Sequence, residues 1–237
     1  MFLFSSKTSV RSFNLFEGAT DHHSHLLYGV DDGFQSLEET LSALSLYEQA
    51  HLDTLCLTPH VMEDVPNTTQ KLQERFQALR EAYKGPVQLR LGAEYMMDGV
   101  FRERLESLDL LPSGRSKDHI LVETSYYNPP VDFFELLERI QKKGFHPLLA
   151  HPERYLFLER KDYMRLNESG VKMQLNFLSL TGFYGDTARK NAQMLLKNGF
   201  YCCMGGDLHS LSQTRHLMEA ALKKDILQRL CAIKDGI

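Results

Sequence analysis

Residues 146–154 read His146-Pro147-Leu148-Leu149-Ala150-His151-Pro152-Glu153-Arg154, a short apolar run that ends abruptly in ionisable side chains. A run of this length, followed by an amphipathic stretch, reads as a buried strand that delivers polar groups at its carboxyl end. The same unit recurs on both sides of it. Strands are predicted at 18–23, 54–58, 87–93, 118–123, 146–150, 172–175 and 200–205. Helices are predicted at 36–50, 67–83, 99–107, 131–143, 161–169, 186–198 and from 211 onward. The first helix opens Ser36-Leu37-Glu38-Glu39, a capping-box pattern in which Glu39 reaches back to the Ser36 backbone. The second stops before Gly85-Pro86, which cannot continue a helix.

Seven strand–helix alternations argue for parallel strands joined by crossover helices. The simplest closure is an α/β fold of the distorted TIM-like (β/α)7 barrel type; an open doubly wound sheet is the alternative. The 237 residues suit such a barrel, and hydrophobic residues at 43% suffice for a substantial core. No linker, charge block or fixed-period repeat divides the chain, so residues 1–237 are read as one domain.

The net charge of −4 and the lack of a long Lys/Arg run exclude a general nucleic-acid binder. Residues 1–11 are too short and interrupted for a secretory signal, and no apolar run approaches the ~18 residues of a membrane span. The four cysteines, Cys56, Cys202, Cys203 and Cys231, form no C-x-x-C pair, and the adjacent two sit in an apolar stretch. Cys202 and Cys203 are read as reduced core residues, and the cysteine usage as that of a cytoplasmic protein. None has Arg at the C-x5-R offset that a cysteine-dependent tyrosine phosphatase needs.

The strand ends carry the chemistry. They read Asp21-His22-His23-Ser24-His25, Thr58-Pro59-His60, Gly92-Ala93-Glu94, Glu123, His151-Pro152-Glu153-Arg154, Gln174-Leu175-Asn176 and Asp207-Leu208-His209. In a parallel barrel all seven gather on one face, where active sites form. A polar residue after one strand is ordinary; seven in succession are not. In an extended chain Asp21, His23 and His25 point one way and His22 and Ser24 the other, and two histidines so spaced can chelate one ion. An exposed histidine-rich strand end is the plainer reading of that motif alone. His22, His51, His119, His146 and His216 are expected to be core or surface residues. The turn Val30-Asp31-Asp32-Gly33 offers a further carboxylate from either Asp, with Gly33 permitting a sharp turn. Tyr126, Tyr127 and Pro129-Pro130, and Phe177, Phe183 and Tyr184, form an aromatic wall beside the site or else ordinary loop packing.

With these motifs in place, the chain resembles the PHP (polymerase and histidinol phosphatase) superfamily from Asp21 to about Arg215. More narrowly it resembles the bacterial PHP-type protein-tyrosine phosphatases of capsular and extracellular polysaccharide synthesis. Asp21–His25, Val30–Gly33 and His151–Arg154 are the most specific segments. The resemblance implies a distorted βα barrel holding three divalent metal ions, often manganese, with iron, zinc or magnesium as alternatives. One ion would take His23, His25, Glu94 and Asp207. A second would take Glu94 as a bridge, with Glu123 and His151. The third would take Asp32, His60 and His209. Arg154 matches the family's phosphate-binding arginine, and Arg215 a later one, although the segment from Asp207 to Arg215 is about one residue longer than the family pattern. Gln174–Asn176 resembles a site-lining stretch. The residues assigned to catalysis are Arg154, Asp207 and His60.

Three divalent ions set against Asp32, Glu94, Glu123, Asp207 and neutral imidazoles leave a net positive site, suited to a phosphate dianion. Mixed histidine and carboxylate ligation suits Mn, Fe or Zn. The expected reaction is in-line attack on phosphotyrosine by hydroxide at the metals, without a phospho-enzyme, while the Arg154 fork clamps phosphate oxygens. The implied partner is the phosphorylated tail of a bacterial tyrosine kinase; no nucleic acid or membrane insertion is implied, and homo-oligomers are known in the family. The rival readings are a histidinol-phosphate phosphatase or other small-molecule phosphoesterase, and a non-catalytic metal-binding module.

Overall fold

The computed structural model describes residues 7–237. Residues 1–6, part of the stretch read as too short for a secretory signal, lie outside it. The chain begins with β1 (Lys7–Ser9) and β2 (Thr20–Asp21), then α1 (Leu37–Gln49), β3 (Thr54–Leu57), β4 (His60–Val61) and α2 (Thr69–Ala82). It continues with β5 (Gln88–Leu91), β6 (Glu94–Met96), α3 (Gly99–Ser107), β7 (His119–Glu123), α4 (Phe133–Lys142) and β8 (His146–Ala150). After a 3₁₀ turn (Pro152–Arg154) come α5 (Arg160–Glu168), β9 (Lys172–Asn176), α6 (Phe177–Thr181) and α7 (Gly185–Lys197). The last elements are β10 (Cys203–Gly205), α8 (Leu211–Glu219), β11 (Ala221–Lys223) and α9 (Lys224–Cys231).

The inner strands are parallel, in two segments of order β2-β3-β5 and β4-β6-β7-β8-β9-β10. Two of the predicted strands divide between these segments. The second breaks at Thr58-Pro59, where proline has no N–H for the ladder, and resumes as β4. The third breaks at Gly92-Ala93 and resumes as β6. Backbone bonds carry the ring across these bends: Thr58 N–H donates to Ser24 O at 2.8 Å, and Glu94 N–H to Pro59 O at 3.1 Å. Bonds from His22 N to Met204 O, Asp207 N to His23 O and His25 N to Leu208 O, at 2.8–3.1 Å, join the first strand to the last. The result is the distorted seven-stranded parallel barrel expected from the alternation.

Parallel strands covered by helices are buried on both faces, and β3, β7 and β8 are apolar accordingly, with only the entry residues His119 and His146 of β7 and β8 outside the core. Inside the barrel floor Leu121, Leu148, Ala150 and Cys203 pack together, with Cys202 and Ile237 against them. The final residues close this end: Thr20 N–H donates to Lys234 O at 3.0 Å, and a side chain at Gly236 would collide with the His22 ring. His22 is thus a buried floor residue, held far from the other end of the barrel. Cys56 and Cys203 are buried and Cys202 is half-buried, whereas Cys231 is exposed on α9 and is not a core residue.

The cap expected at the start of α1 is present at Ser36. Ser36 Oγ accepts the Glu39 N–H at 3.2 Å, which is the Ser half of the anticipated capping box. A reciprocal box forms instead at α5, between Glu159 and Asp162. The stretch from 211 onward is two helices with β11 between them, and β11 pairs antiparallel with β1. β11 interrupts the helix expected from 211 onward, because a three-residue strand carries too little periodicity to read. No helix among the described residues is long and apolar enough to cross a membrane.

Candidate metal centre

The carboxyl ends of the strands meet in one pocket, and Glu94 is at its middle. Glu94 Oε2 lies 3.1 Å from His23 Nε2, 3.3 Å from His25 Nε2 and 3.2 Å from His60 Nδ1. Its other oxygen lies 3.0 Å from His151 Nε2. Asp207 Oδ1 sits 3.4 Å from His23 Nε2 and 3.3 Å from His25 Nε2, and the two Nε2 atoms are 3.2 Å apart. Glu123 approaches His60 at 3.3 Å and His151 at 3.8 Å. At the outer edge, Asp32 Oδ1 is 3.5 Å from both His60 Nε2 and His209 Nε2.

These contacts resolve into three groups whose ligand atoms lie within 4.8 Å of one another: His23, His25, Glu94 and Asp207; His60, Glu94 and Glu123; and His25, Asp32, His60 and His209. The three groups take in eight of the nine residues anticipated as ligands, and the ninth, His151, stands beside them, 3.0 Å from Glu94 Oε1. Their grouping differs in two respects. His60 joins Glu94 and Glu123 in the second group, its Nδ1 between them while its Nε2 faces Asp32, and His151 Nε2 approaches the same two carboxylates at 3.0 and 3.8 Å. His25 borders the outer group as well as the inner one, its ring stacked 4.0 Å from that of His209.

A second layer fixes the rings. His23 Nδ1 bonds Gln174 Oε1 at 3.0 Å, His25 Nδ1 bonds Asp31 Oδ2 at 2.8 Å, and His209 Nδ1 bonds the Asp207 carbonyl at 3.0 Å. With the proton on Nδ1 in each, Nε2 is left with a lone pair aimed inward, as a metal ligand requires. Asp31 was one of two equal candidates in the sequence; it is the buried partner of His25, and exposed Asp32 is the one at the cluster. Asp21 does not join the histidines as strand alternation suggested. Only Thr20 and Asp21 are in the ladder, and the Asp21 carboxylate turns to Tyr47 Oη and to the Gly206 and His23 amides. Gly33 serves space more than turn geometry: a Cβ there would lie 2.3 Å from the His25 carbonyl oxygen.

Electrostatically the cluster asks for positive charge at its centre. Burial by itself pushes the His23 and His25 imidazoles down, but Glu94 and Asp207 at His23, and Asp31 and Asp207 at His25, outweigh it and hold both above the ordinary histidine range. Burial and His25 also depress His60, yet Glu123 and Glu94 lift it to about 10. Against burial, which would raise them, the surrounding imidazoles keep the Glu94 and Asp207 carboxyls below the usual carboxylate range. His209 is pushed down to about 4 by burial and by His25. Glu94 Oε2, His60 Nδ1 and His151 Nδ1 are buried without a hydrogen-bond partner. Such orphaned atoms are costly, and a ring of imidazole and carboxylate donors around Glu94 Oε2 and His60 Nδ1 fits divalent transition-metal ions.

The cluster opens into a cavity of about 420 Å³, with His60, Glu123, His151, Asp207 and His209 in its wall. Arg154 also lines it. Its Nη1 donates to Asp207 Oδ2 at 2.9 Å, and its guanidinium lies over the rings of Tyr184 at 4.0 Å and Tyr126 at 4.5 Å. Asn176 Nδ2 donates to the same Asp207 oxygen at 2.8 Å. Tyr126, Tyr127 and Tyr184 do form a wall; Phe177 does not, being buried in the core against Phe16. Arg215 is a correction too. It is exposed on α8, whereas Gln213 lines the cavity and accepts the His209 N–H. Two residues along a helix amount to more than half a turn, so Arg215 faces away. Gln174 and Asn176 acquire roles that the sequence left open. Glu153, two residues beyond His151, stands apart from the cluster: it is buried among Ser179 Oγ, Tyr201 Oη and the Asn176 amide, where burial pushes its carboxyl up.

Fold and site together define a PHP-type barrel with a histidine–carboxylate centre able to hold metal ions. Within that class, the chain belongs to the capsular polysaccharide synthesis CpsB/CapC family, whose family model matches residues 19–229. The tyrosine-protein phosphatase CpsB of Streptococcus pneumoniae is 28% identical over 214 residues, covering 85% of this chain and 87% of the relative. The tyrosine-protein phosphatase YwqE of Bacillus subtilis is 24% identical over 207 residues, covering 84% and 81%. A solved structure from work on YwqE of B. subtilis and CpsB of S. pneumoniae, described as unique metal-dependent tyrosine phosphatases, is similar in fold, with a TM-score of 0.74 at 22% identity over 92% of this chain and 96% of the other. A lactonase, Lmo2620 of Listeria monocytogenes, shares the fold more distantly, at a TM-score of 0.52 and 11% identity over 87% of this chain and 83% of the other.

Proposed function

We propose that this protein is a metal-dependent protein-tyrosine phosphatase whose His23, His25, Asp32, His60, Glu94, Glu123, His151, Asp207 and His209 hold three divalent ions, with manganese the first expectation. Its substrate is a phosphotyrosine protein, the tail of a bacterial tyrosine kinase of capsular polysaccharide synthesis, and it acts in the cytoplasm as one domain over residues 1–237. The observation that carries the reading is the crowding of four imidazoles around one buried carboxylate, Glu94, with an oxygen left unpartnered. The names of the CpsB and YwqE relatives support the choice of substrate.

Divalent ions bound there would supply Lewis-acid neutralisation of phosphoryl oxygens and lower the pKa of water toward ~7. The chain's own part is to bind and orient. Arg154 uses one edge on Asp207 and keeps its remaining N–H donors for phosphate oxygens. Tyr126 and Tyr184 hold the guanidinium plane, and Asp207 ties the phosphate clamp to the histidine cluster. Tyr126, Tyr127 and Tyr184 give the substrate ring an aromatic wall.

The test is metal analysis of purified protein together with turnover of a phosphotyrosine peptide and of histidinol phosphate. We expect bound divalent metal, peptide turnover abolished by chelator and restored by Mn²⁺, and insensitivity to thiol alkylation. Activity that survives chelation but not alkylation would end this reading, and preference for histidinol phosphate would reassign the substrate.

A further inference from the structure

Six large apolar side chains are strongly exposed among the described residues: Leu108, Tyr127, Val131, Leu156, Met164 and Phe183. Four of them, Tyr127, Val131, Leu156 and Phe183, stand on the loops that follow the consecutive strands β7, β8 and β9, at the end of the barrel where the metal cluster lies. Scattered exposed apolar residues need no explanation, but a group around one cavity marks an interaction surface.

The four belong to one continuous surface. Leu156 N–H donates to Tyr126 O at 2.9 Å, which places Leu156 beside the Tyr126-Tyr127 loop. Phe133, two residues after Val131, packs on Phe157 with ring centroids 5.6 Å apart. Phe183 packs on Tyr184 at 5.0 Å, and Tyr184 and Tyr126 sandwich Arg154. The rim therefore encircles the Arg154 side of the cavity. The charges on these loops are mostly taken up: Asp132 pairs with Arg102 at 2.7 Å, Glu159 with Lys161 at 2.9 Å and Arg154 with Asp207, and Arg160 at the start of α5 has no carboxylate partner among the described residues. That is no basic collar of the kind an anionic membrane recruits.

We infer that this rim is a docking surface for the polypeptide that carries the phosphorylated side chain, and that it favours apolar residues flanking the phosphotyrosine. The inference rests on the phosphatase reading above and extends it from the phosphoryl group to the chain around it. A phosphate held at Arg154 brings the substrate backbone over Tyr127, Val131 and Leu156, where apolar side chains lose water on contact. Free aryl phosphates would fill the cavity without touching Val131 or Leu156, neither of which lines it.

The experiment compares metal-loaded wild type with Val131→Ser and Leu156→Ser. The substrates are p-nitrophenyl phosphate, a phosphotyrosine peptide flanked by Leu and Ile, and the same peptide flanked by Ser. We expect wild type to show a KM about tenfold lower for the apolar peptide than for the Ser peptide, as one or two buried aliphatic groups would give. Each substitution should remove most of that difference and leave p-nitrophenyl phosphate kinetics and the melting temperature unchanged. Equal KM for the two peptides in wild type, or equal losses on peptide and p-nitrophenyl phosphate in the variants, would overturn the inference. So would sedimentation of wild type, but not the variants, with phosphatidylglycerol/phosphatidylcholine vesicles, which would assign the rim to a membrane. Anisotropy of fluorescently labelled peptides separates the two readings. Flank-dependent binding without turnover of any substrate would sink the phosphatase reading and keep the docking surface; turnover without flank-dependent binding would do the reverse.

Discussion

Arg154 is held on three sides, by Asp207 at one edge and by Tyr126 and Tyr184 on its faces. A lysine keeps the charge but loses the planar fork and the stacking. Arg154→Lys should therefore lower kcat/KM for an aryl phosphate by about tenfold to a hundredfold, mainly through KM, with metal content unchanged by elemental analysis. His60 gives a pH prediction. In chelator-stripped protein its imidazole is raised to about 10, above the ~6.5 of an unfolded chain. Its contribution to stability is then fully present below pH ~6.5 and lost as pH climbs through about 10. An incoming metal ion must displace that proton. Binding of Mn²⁺ at pH 8 should therefore release protons, read as a dependence of calorimetric heat on buffer ionisation enthalpy, and affinity should rise with pH. Heats independent of the buffer would contradict the ligand role of His60.

At the scale of elements, each ligand depends on how its loop leaves its strand. His151 and Asp207 both sit at positive φ, 35° and 51°, in the left-handed region that non-glycine residues seldom occupy. Such strain persists only where surroundings enforce it. For His151 the enforcing group is Glu153, whose carboxylate ties the 3₁₀ turn to β9, α6 and Tyr201. Glu153→Ala would leave the Asn176 amide and the Tyr201 hydroxyl buried and unpaired, and should cost about 2–4 kcal/mol in denaturant unfolding. Glu153→Gln should cost less, since it still accepts hydrogen bonds. Gly33 makes a steric prediction. A methyl there meets the His25 carbonyl at 2.3 Å, so Gly33→Ala should displace His25 and reduce metal content more than it lowers stability. Strand and helix positions were legible at this scale because apolar runs and caps are local. The breaks at Pro59 and Gly92 were also written in the sequence, but their effect, passing a strand from one sheet segment to the next, depends on neighbours that are remote in the chain.

For the whole molecule, the candidate ligands span residues 23 to 209 and come from the ends of six of the seven strands, so a metal bound there would draw on nearly the whole barrel. Ions that bind only the folded chain stabilise it by RT ln(1 + [L]/Kd), about 2.7 kcal/mol at a hundredfold excess over Kd. For a chain of this size that should raise the melting temperature by several degrees, and chelator should reverse the gain. A melting temperature indifferent to both would mean that the cluster does not bind ions in the native state. The sequence by itself determined the alternation of strand and helix, the parallel barrel and the polar strand ends that meet at one face, because apolar periodicity sets local structure and a parallel barrel must gather its strand ends together; the choice of nine of them as candidate ligands came from the family resemblance. Tertiary structure alone decided which carboxylate of Asp31 and Asp32 meets the cluster, that Asp21 turns away to Tyr47, that His60 reaches Glu94, Glu123 and Asp32 at once, and that Gln213 rather than Arg215 faces the cavity. Those choices are made by ångström-scale competition for space and hydrogen bonds among residues distant in the chain, and no spacing in a sequence records which competitor wins.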